Sequence, residues 1–226
     1  MGEPKIFDDS NEYGSDSILK SLIIYPKIRY FSSYIHEILH QFSNQFIPTT
    51  YGGHYSFSTG GIFGGFSNKT LIQLGEDRYQ ANYNGLKTFG VGANRSYQYS
   101  FLDLYLMGLA SKDEVPVIKV VRCNEEISSK KECPYWIDEE KGIFYANYIE
   151  DISIDELIKK HGKRVPSYEN SPNDFRGMVI VVSLEELSRK ELEEFDKKVK
   201  DKMNNFNEYT SERATLKFDD LFDMEK

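Results

Sequence analysis

The apolar residues Phe31, Ile35, Ile38, Leu39 and Phe42 recur at helical spacing, which predicts a helix from about Arg29 to Asn44. That helix contains His36-Glu37-Ile38-Leu39-His40. A spacing of four puts both imidazoles on one face, one turn apart, where they can chelate a single metal ion. Glu37 lies about 100° around the helix, within reach of a water held by the metal without ligating the ion itself. Neutral imidazole suits Zn2+, and two protein ligands leave room for a third and for water. A solvated helix face that happens to carry two histidines is the plainer reading, and the motif's placement on a helical pattern weakens it.

A third ligand has few candidates, because the chain holds only four histidines and two cysteines. Three of the histidines fall within nineteen consecutive residues, from His36 to His54. The Gly52-Gly53 turn can reverse the chain after the helix and bring His54 back over the metal. Asp103 is the alternative carboxylate ligand, although its position three residues after Ser100 suits a capping box better. Glu76 and Asp77 follow Gly75 and read as a turn. His161 closes a Lys-rich helix, where the helix dipole favours a cation, and reads as structural.

With 226 residues the chain can bury a sizeable core, and one domain is expected over 1–226. Within it, 1–17 forms a loose polar lead-in, 18–110 a metal-site half and 111–226 a C-terminal α/β portion. A net charge of −8 disfavours nucleic-acid binding, which needs clustered Lys and Arg. No apolar run is long enough to span a membrane. The first twenty residues show no apolar signal region, so the location is cytoplasmic by default and extracellular if an N-terminal segment has been removed. Cys123 and Cys133 either close a small loop or remain free thiols, and their spacing does not suit a zinc pair.

Strands are expected at 21–25, 115–122, 142–148 and, as a buried run, 178–183, with a Tyr83-Asn84-Gly85 hairpin inside the alternating stretch 70–91. Further helices are expected at 100–109 with Ser100 as N-cap, at 153–161 stopped by Gly162, and from Leu184 to about Asn207. The fold class is therefore α+β, with a small mixed sheet and a C-terminal helix. A glycine-rich loop carries Gly60, Gly61, Gly64 and Gly65, which would let a peptide backbone approach closely.

The segments HEILHQF (36–42), GGHYSF (52–57), GGIFGGF (60–66) and YSFLDLYLMGL (99–109) occur in that order. They are followed by ISIDELIKKHGKRVPS (152–167), DFRGMVIVVS (174–183) and FNEYTSERATLKF (206–218). This order resembles a group of prokaryotic HExxH metallopeptidases over roughly residues 30–218. Within the zincins, the pattern is similar to metzincins of the leishmanolysin kind. The resemblance implies a zincin-like domain in which His36, His40 and His54 ligate zinc and Glu37 is the catalytic acid/base. This chain departs from the compact metzincin signature, having Ser43 and Phe46 where Gly and His are the rule. The Met-turn is either 61–65, with Phe63 in place of methionine, or the stretch around Met107. The short sequence before HExxH leaves two options for the sheet: Leu22–Tyr25 pairs with 117–121 and 178–182, or an upstream portion is missing.

The expected activity is zinc-dependent hydrolysis of a protein or peptide substrate, with Glu37 as general base. Tyr99, Tyr105 and Tyr55 are candidate oxyanion donors, and Tyr99, Tyr105 and Asp103 candidate supports of the site. The rival readings are a zincin scaffold that binds without turnover, and a metal-dependent hydrolase of a non-peptide amide. Oligomeric state is not readable from the pattern.

Overall fold

The computed structural model describes residues 23, 34–43, 46–47, 55, 58–64, 71–81, 98–123, 135–138 and 140–218, with the backbone alone at 202 and 203. The strand expected at 21–25 (apart from residue 23), the Gly52-Gly53 turn, His54, Gly65, the 83–85 hairpin and Cys133 lie outside the described residues.

Helix α1 spans Tyr34–His40 and buries Tyr34, His36 and Leu39. A single 3-10 turn follows at Gly61–Phe63. Strands β1 (Ile72–Gly75) and β2 (Arg78–Gln80) form a hairpin across Glu76 and Asp77, both at positive φ. Two successive left-handed residues match the twist of the flanking strands, so the turn expected at Gly75 is present.

Helix α2 spans Phe101–Met107 and is defined at both ends. Ser100 Oγ accepts the Asp103 N–H while the Asp103 carboxylate accepts the Ser100 N–H, and Gly108 closes the helix in the left-handed conformation. The Arg164 guanidinium donates to the Leu106 and Met107 carbonyls at 2.7 and 2.9 Å, satisfying groups the helix leaves open at its C-terminus.

Strand β3 (Ile118–Arg122) begins three residues later than its pattern suggested. A 3-10 turn at Lys112–Glu114 and then Pro116, which lacks an N–H, occupy the approach. The stretch expected as one strand at 142–148 is instead two, β5 (Ile143–Tyr145) and β6 (Tyr148–Ile152). The Ala146 N–H bonds the Asp77 carbonyl and the Asn147 N–H bonds the Arg122 carbonyl, so neighbouring residues belong to different sheets. With β4 (Tyr135–Asp138), the antiparallel sheets are β1-β2-β5-β4 and β3-β6.

Helix α3 spans Ile154–His161, capped by Ser153 and ended at Gly162 as expected. Strand β7 (Asp174–Gly177) pairs in parallel with β8 (Thr215–Phe218), across helices α4 (Arg189–Met203) and α5 (Phe206–Tyr209). Helix α4 starts at Arg189 rather than Leu184, because Ser188 and Glu191 form a capping box there. The architecture is mixed α and β, with three small sheets among the described residues.

The 178–183 run is not a buried strand. Met178, Ile180 and Val182 are 65%, 73% and 91% exposed. Only alternate residues turn inward, Val179 packing on the core and Val181 half-buried. Nor does it pair with β3, whose partner among the described residues is β6.

The main core joins α1, the 61–63 turn, α2, β3, α3, α4 and α5 through Leu39, Ile62, Phe63, Leu102, Leu106, Ile118, Leu157, Val199 and Phe206. A smaller cluster of Tyr79, Ala81, Val121, Phe144 and Ala146 supports the four-stranded sheet. Cys123 is disulfide-bonded, which decides between bridge and free thiol at that residue.

Candidate metal centre

Helix α1 presents His36 and His40 with ring centroids 5.0 Å apart and planes at 81°. His36 is buried, whereas Glu37 and His40 are half-buried. Donor atoms of the two imidazoles and the Glu37 carboxylate all lie within 4.8 Å of one another. Two nitrogens sharing a zinc ion at about 2.1 Å can be at most about 4.2 Å apart, so a small side-chain rotation brings this set within range of one ion. The residue types and spacing could hold a metal ion.

Phe63 packs against both histidines. Its ring lies 4.9 Å from that of His36 and 4.5 Å from that of His40. The turn that carries Phe63 is one of the two stretches that the sequence offered as a Met-turn, the other being that around Met107, which lies inside α2.

Two residues hold this turn. The Asp103 carboxylate is fully buried and accepts the Ile62 N–H at 3.0 Å as well as the Ser100 N–H at 2.8 Å. Burial pushes its pKa up to about 6, against the lowering effect of these hydrogen bonds. Tyr55 donates its backbone N–H to the Phe63 carbonyl at 2.9 Å, and its ring lies 5.5 Å from the Phe63 ring. The Tyr55 hydroxyl is hydrogen-bonded to Ser43 Oγ, just beyond α1. Burial, with a further contribution from the Asp103 charge, raises the Tyr55 hydroxyl well above the ordinary tyrosine range.

The glycine loop has a packing role. Gly60, Gly61 and Gly64 are buried, where a loop open to substrate was expected. Gly61 is left-handed at φ +78°, and a Cβ on it would sit 2.4 Å from both Asp103 carboxylate oxygens. At Gly64 a Cβ would meet the Gly60 nitrogen at 2.6 Å. These glycines let the turn close on itself and on Asp103.

The other expected residues separate. Tyr99 donates its hydroxyl to the Ile35 carbonyl at 2.7 Å, tying the α2 approach to α1 one residue before His36. Tyr105 is governed by burial and by Arg164, Lys112 and Asp155, a different neighbourhood. Asp103 takes the capping role and is not part of the His36-Glu37-His40 group. Met107 is buried inside α2. His161 packs against Phe46, ring centroids 5.1 Å apart, in keeping with a structural role. Sequence reasoning missed the double contact of Phe63 and the role of Arg164. The flanking glycines of GGIFGG were the available signal for the first.

Comparison with known protein families, with curated proteins and with solved structures found no match.

Proposed function

We propose that this chain is a zinc-dependent peptidase centred on His36, Glu37 and His40, with His54 as the third protein ligand. The observation that carries the reading is the convergence of two imidazoles and one carboxylate within 4.8 Å on a single helix turn. When bound, zinc supplies Lewis acidity, which lowers the pKa of a water toward neutrality and polarises a carbonyl.

The chain's own residues supply the rest. Glu37 takes a proton from the attacking water and returns it to the amine nitrogen that leaves. Phe63 screens one side of the histidine pair with hydrocarbon and restricts their rings. Asp103 and Tyr55 hold Phe63 there. With the Tyr99 hydroxyl committed to Ile35, it is not the oxyanion donor in this proposal.

The test is metal content and peptide-library cleavage for the native chain, Glu37→Gln and His54→Ala. Glu37→Gln is expected to keep its zinc and lose cleavage. His54→Ala is expected to fall below one zinc per chain at limiting metal. Cleavage by Glu37→Gln at the native rate would reject the mechanism. Zinc binding without cleavage by the native chain would favour the binding-scaffold reading.

A further inference from the structure

An irregular stretch joins β7 to α4, and its backbone is almost unengaged. Among the described residues, Val179 to Glu186 is the longest run in which no backbone group bonds another backbone group. The hydrogen bond its backbone does make is local, from the Glu185 N–H to Ser183 Oγ at 3.3 Å. No residue from Met178 to Ser188 is buried, and every residue from Val182 to Glu186 is exposed. Up to Val182 the side chains alternate between exposed and half-buried, the period of an extended chain, and bends follow at Leu184 and Glu185.

These are the properties that an endopeptidase cleft requires. Such a cleft takes its substrate as an added extended strand, held by main-chain N–H and C=O groups, with pockets for alternate side chains. A segment inside a helix or sheet must first break its own bonds, so its cleavage waits for local opening. Between β7 and α4 the main-chain groups already face no competing partner. The side chains set the class of enzyme. Val182 and Leu184 are 91% and 106% exposed, and 177–188 holds no Lys or Arg, so an apolar specificity pocket fits and a cation-reading one does not.

Both flanks of the stretch are anchored, and to each other. Strand β7 pairs in parallel with β8 from Asp174↔Thr215 to Gly177↔Phe218. The Phe175 ring lies 5.9 Å from that of Phe206, and Val199, Phe206, Tyr209 and Ala214 all belong to the main core. The Thr215 N–H also bonds the Asn173 carbonyl at 2.9 Å. A cut between β7 and α4 therefore breaks the chain without releasing either side of this pairing.

We propose that residues 181–186 are a cleavage site for an endopeptidase with an apolar specificity pocket, and that the cut chain persists as a two-fragment particle. Water adds across the Val181–Val182 or the Ser183–Leu184 peptide bond and the C–N bond breaks. A carboxylate then ends one fragment and an ammonium begins the other. The inference rests on backbone and packing and is independent of the metal-centre reading.

Limited digestion of the whole native chain by thermolysin, which cuts before apolar residues, tests it, with fragments identified by mass spectrometry and sized by gel filtration. The first cut among the described residues is expected at Val181–Val182 or Ser183–Leu184, with both fragments eluting together at the position of the uncut chain. The rate should change less than about threefold between 0 and about 2 M urea, because no opening precedes the cut; a steeper climb marks an opening step and overturns the proposal. Joint Val182→Pro and Leu184→Pro substitution should slow cutting at these bonds at least about tenfold and leave the circular dichroism unchanged, since neither N–H is hydrogen-bonded. If that variant unfolds, the urea series on the native chain decides. A first cut in another described segment, or fragments that separate on gel filtration, also overturns the proposal.

Discussion

The Ile62 backbone N–H donates to the Asp103 carboxylate at 3.0 Å, joining residues 41 positions apart. The same carboxylate caps α2, so one buried group sets both the start of a helix and the turn that places Phe63 on the histidines. Asp103 thus acts on the candidate metal centre through packing.

Asp103 titrates against the usual direction for a hydrogen-bonded carboxylate. Its pKa rises from 3.8 to about 6 on burial, so the folded chain binds a proton more tightly than the unfolded chain. This group's penalty is absent below about pH 4 and grows as pH rises to 6, reaching on the order of 3 kcal/mol. Urea unfolding of native and Asp103→Asn chains between pH 4 and pH 7 should show the native chain gaining relative to the variant as pH falls. A gap independent of pH would contradict this.

Phe63 is 3% exposed and touches both histidines. Phe63→Ala should cost about 3 kcal/mol of stability by leaving a cavity. It should also weaken zinc binding in a competition titration, because both rings lose their common neighbour. Phe63→Met, nearer in volume, should cost less than about 1.5 kcal/mol and retain more of the affinity.

Gly61 and Gly75 are both left-handed, at φ +78° and +97°, yet a Cβ meets the Asp103 oxygens at Gly61 and nothing within 4 Å at Gly75. Gly75→Ala should cost only the backbone strain, about 1 kcal/mol. Gly61→Ala adds a steric conflict with a buried carboxylate and should lower the thermal midpoint several times as much. Equal shifts in the two variants would show that Asp103 can move aside.

Arg164 holds the end of α2 through the Leu106 and Met107 carbonyls and also bonds Ser171 Oγ at 2.6 Å. Arg164→Met keeps part of the hydrocarbon stem and removes these donors. It should destabilise the chain by about 2–4 kcal/mol, and hydrogen exchange should quicken first at the C-terminal end of α2. Unchanged exchange there would mean that Gly108 alone terminates the helix.

The helices were readable where both ends carried local chemistry. Ser100 with Asp103 announces a capping box and Gly162 a stop, whereas the helix expected to run to 109 ends at Met107, where Gly108 turns left-handed. The His36–His40 pairing followed from helix periodicity alone. What failed depended on distant partners. An apolar run at 178–183 carries no local sign of which side chains turn inward. The split between β5 and β6 depends on Asp77 and Arg122, far away in sequence. Phe63 was visible as a departure from methionine, but its contact with both rings needed Asp103 to be folded against Ile62.

Both flanks of α2 are fastened to a much later stretch. The Tyr99 N–H bonds the Tyr209 carbonyl at 2.9 Å, and Arg213 reaches the Leu109 carbonyl at 2.9 Å as well as Glu114. A ribosome releases His36 and His40 some 170 residues before Tyr209 and Arg213, so the histidine helix emerges long before the stretch that fastens the neighbouring α2. The surroundings of the His36-Glu37-His40 group are therefore complete only when the 209–213 stretch arrives.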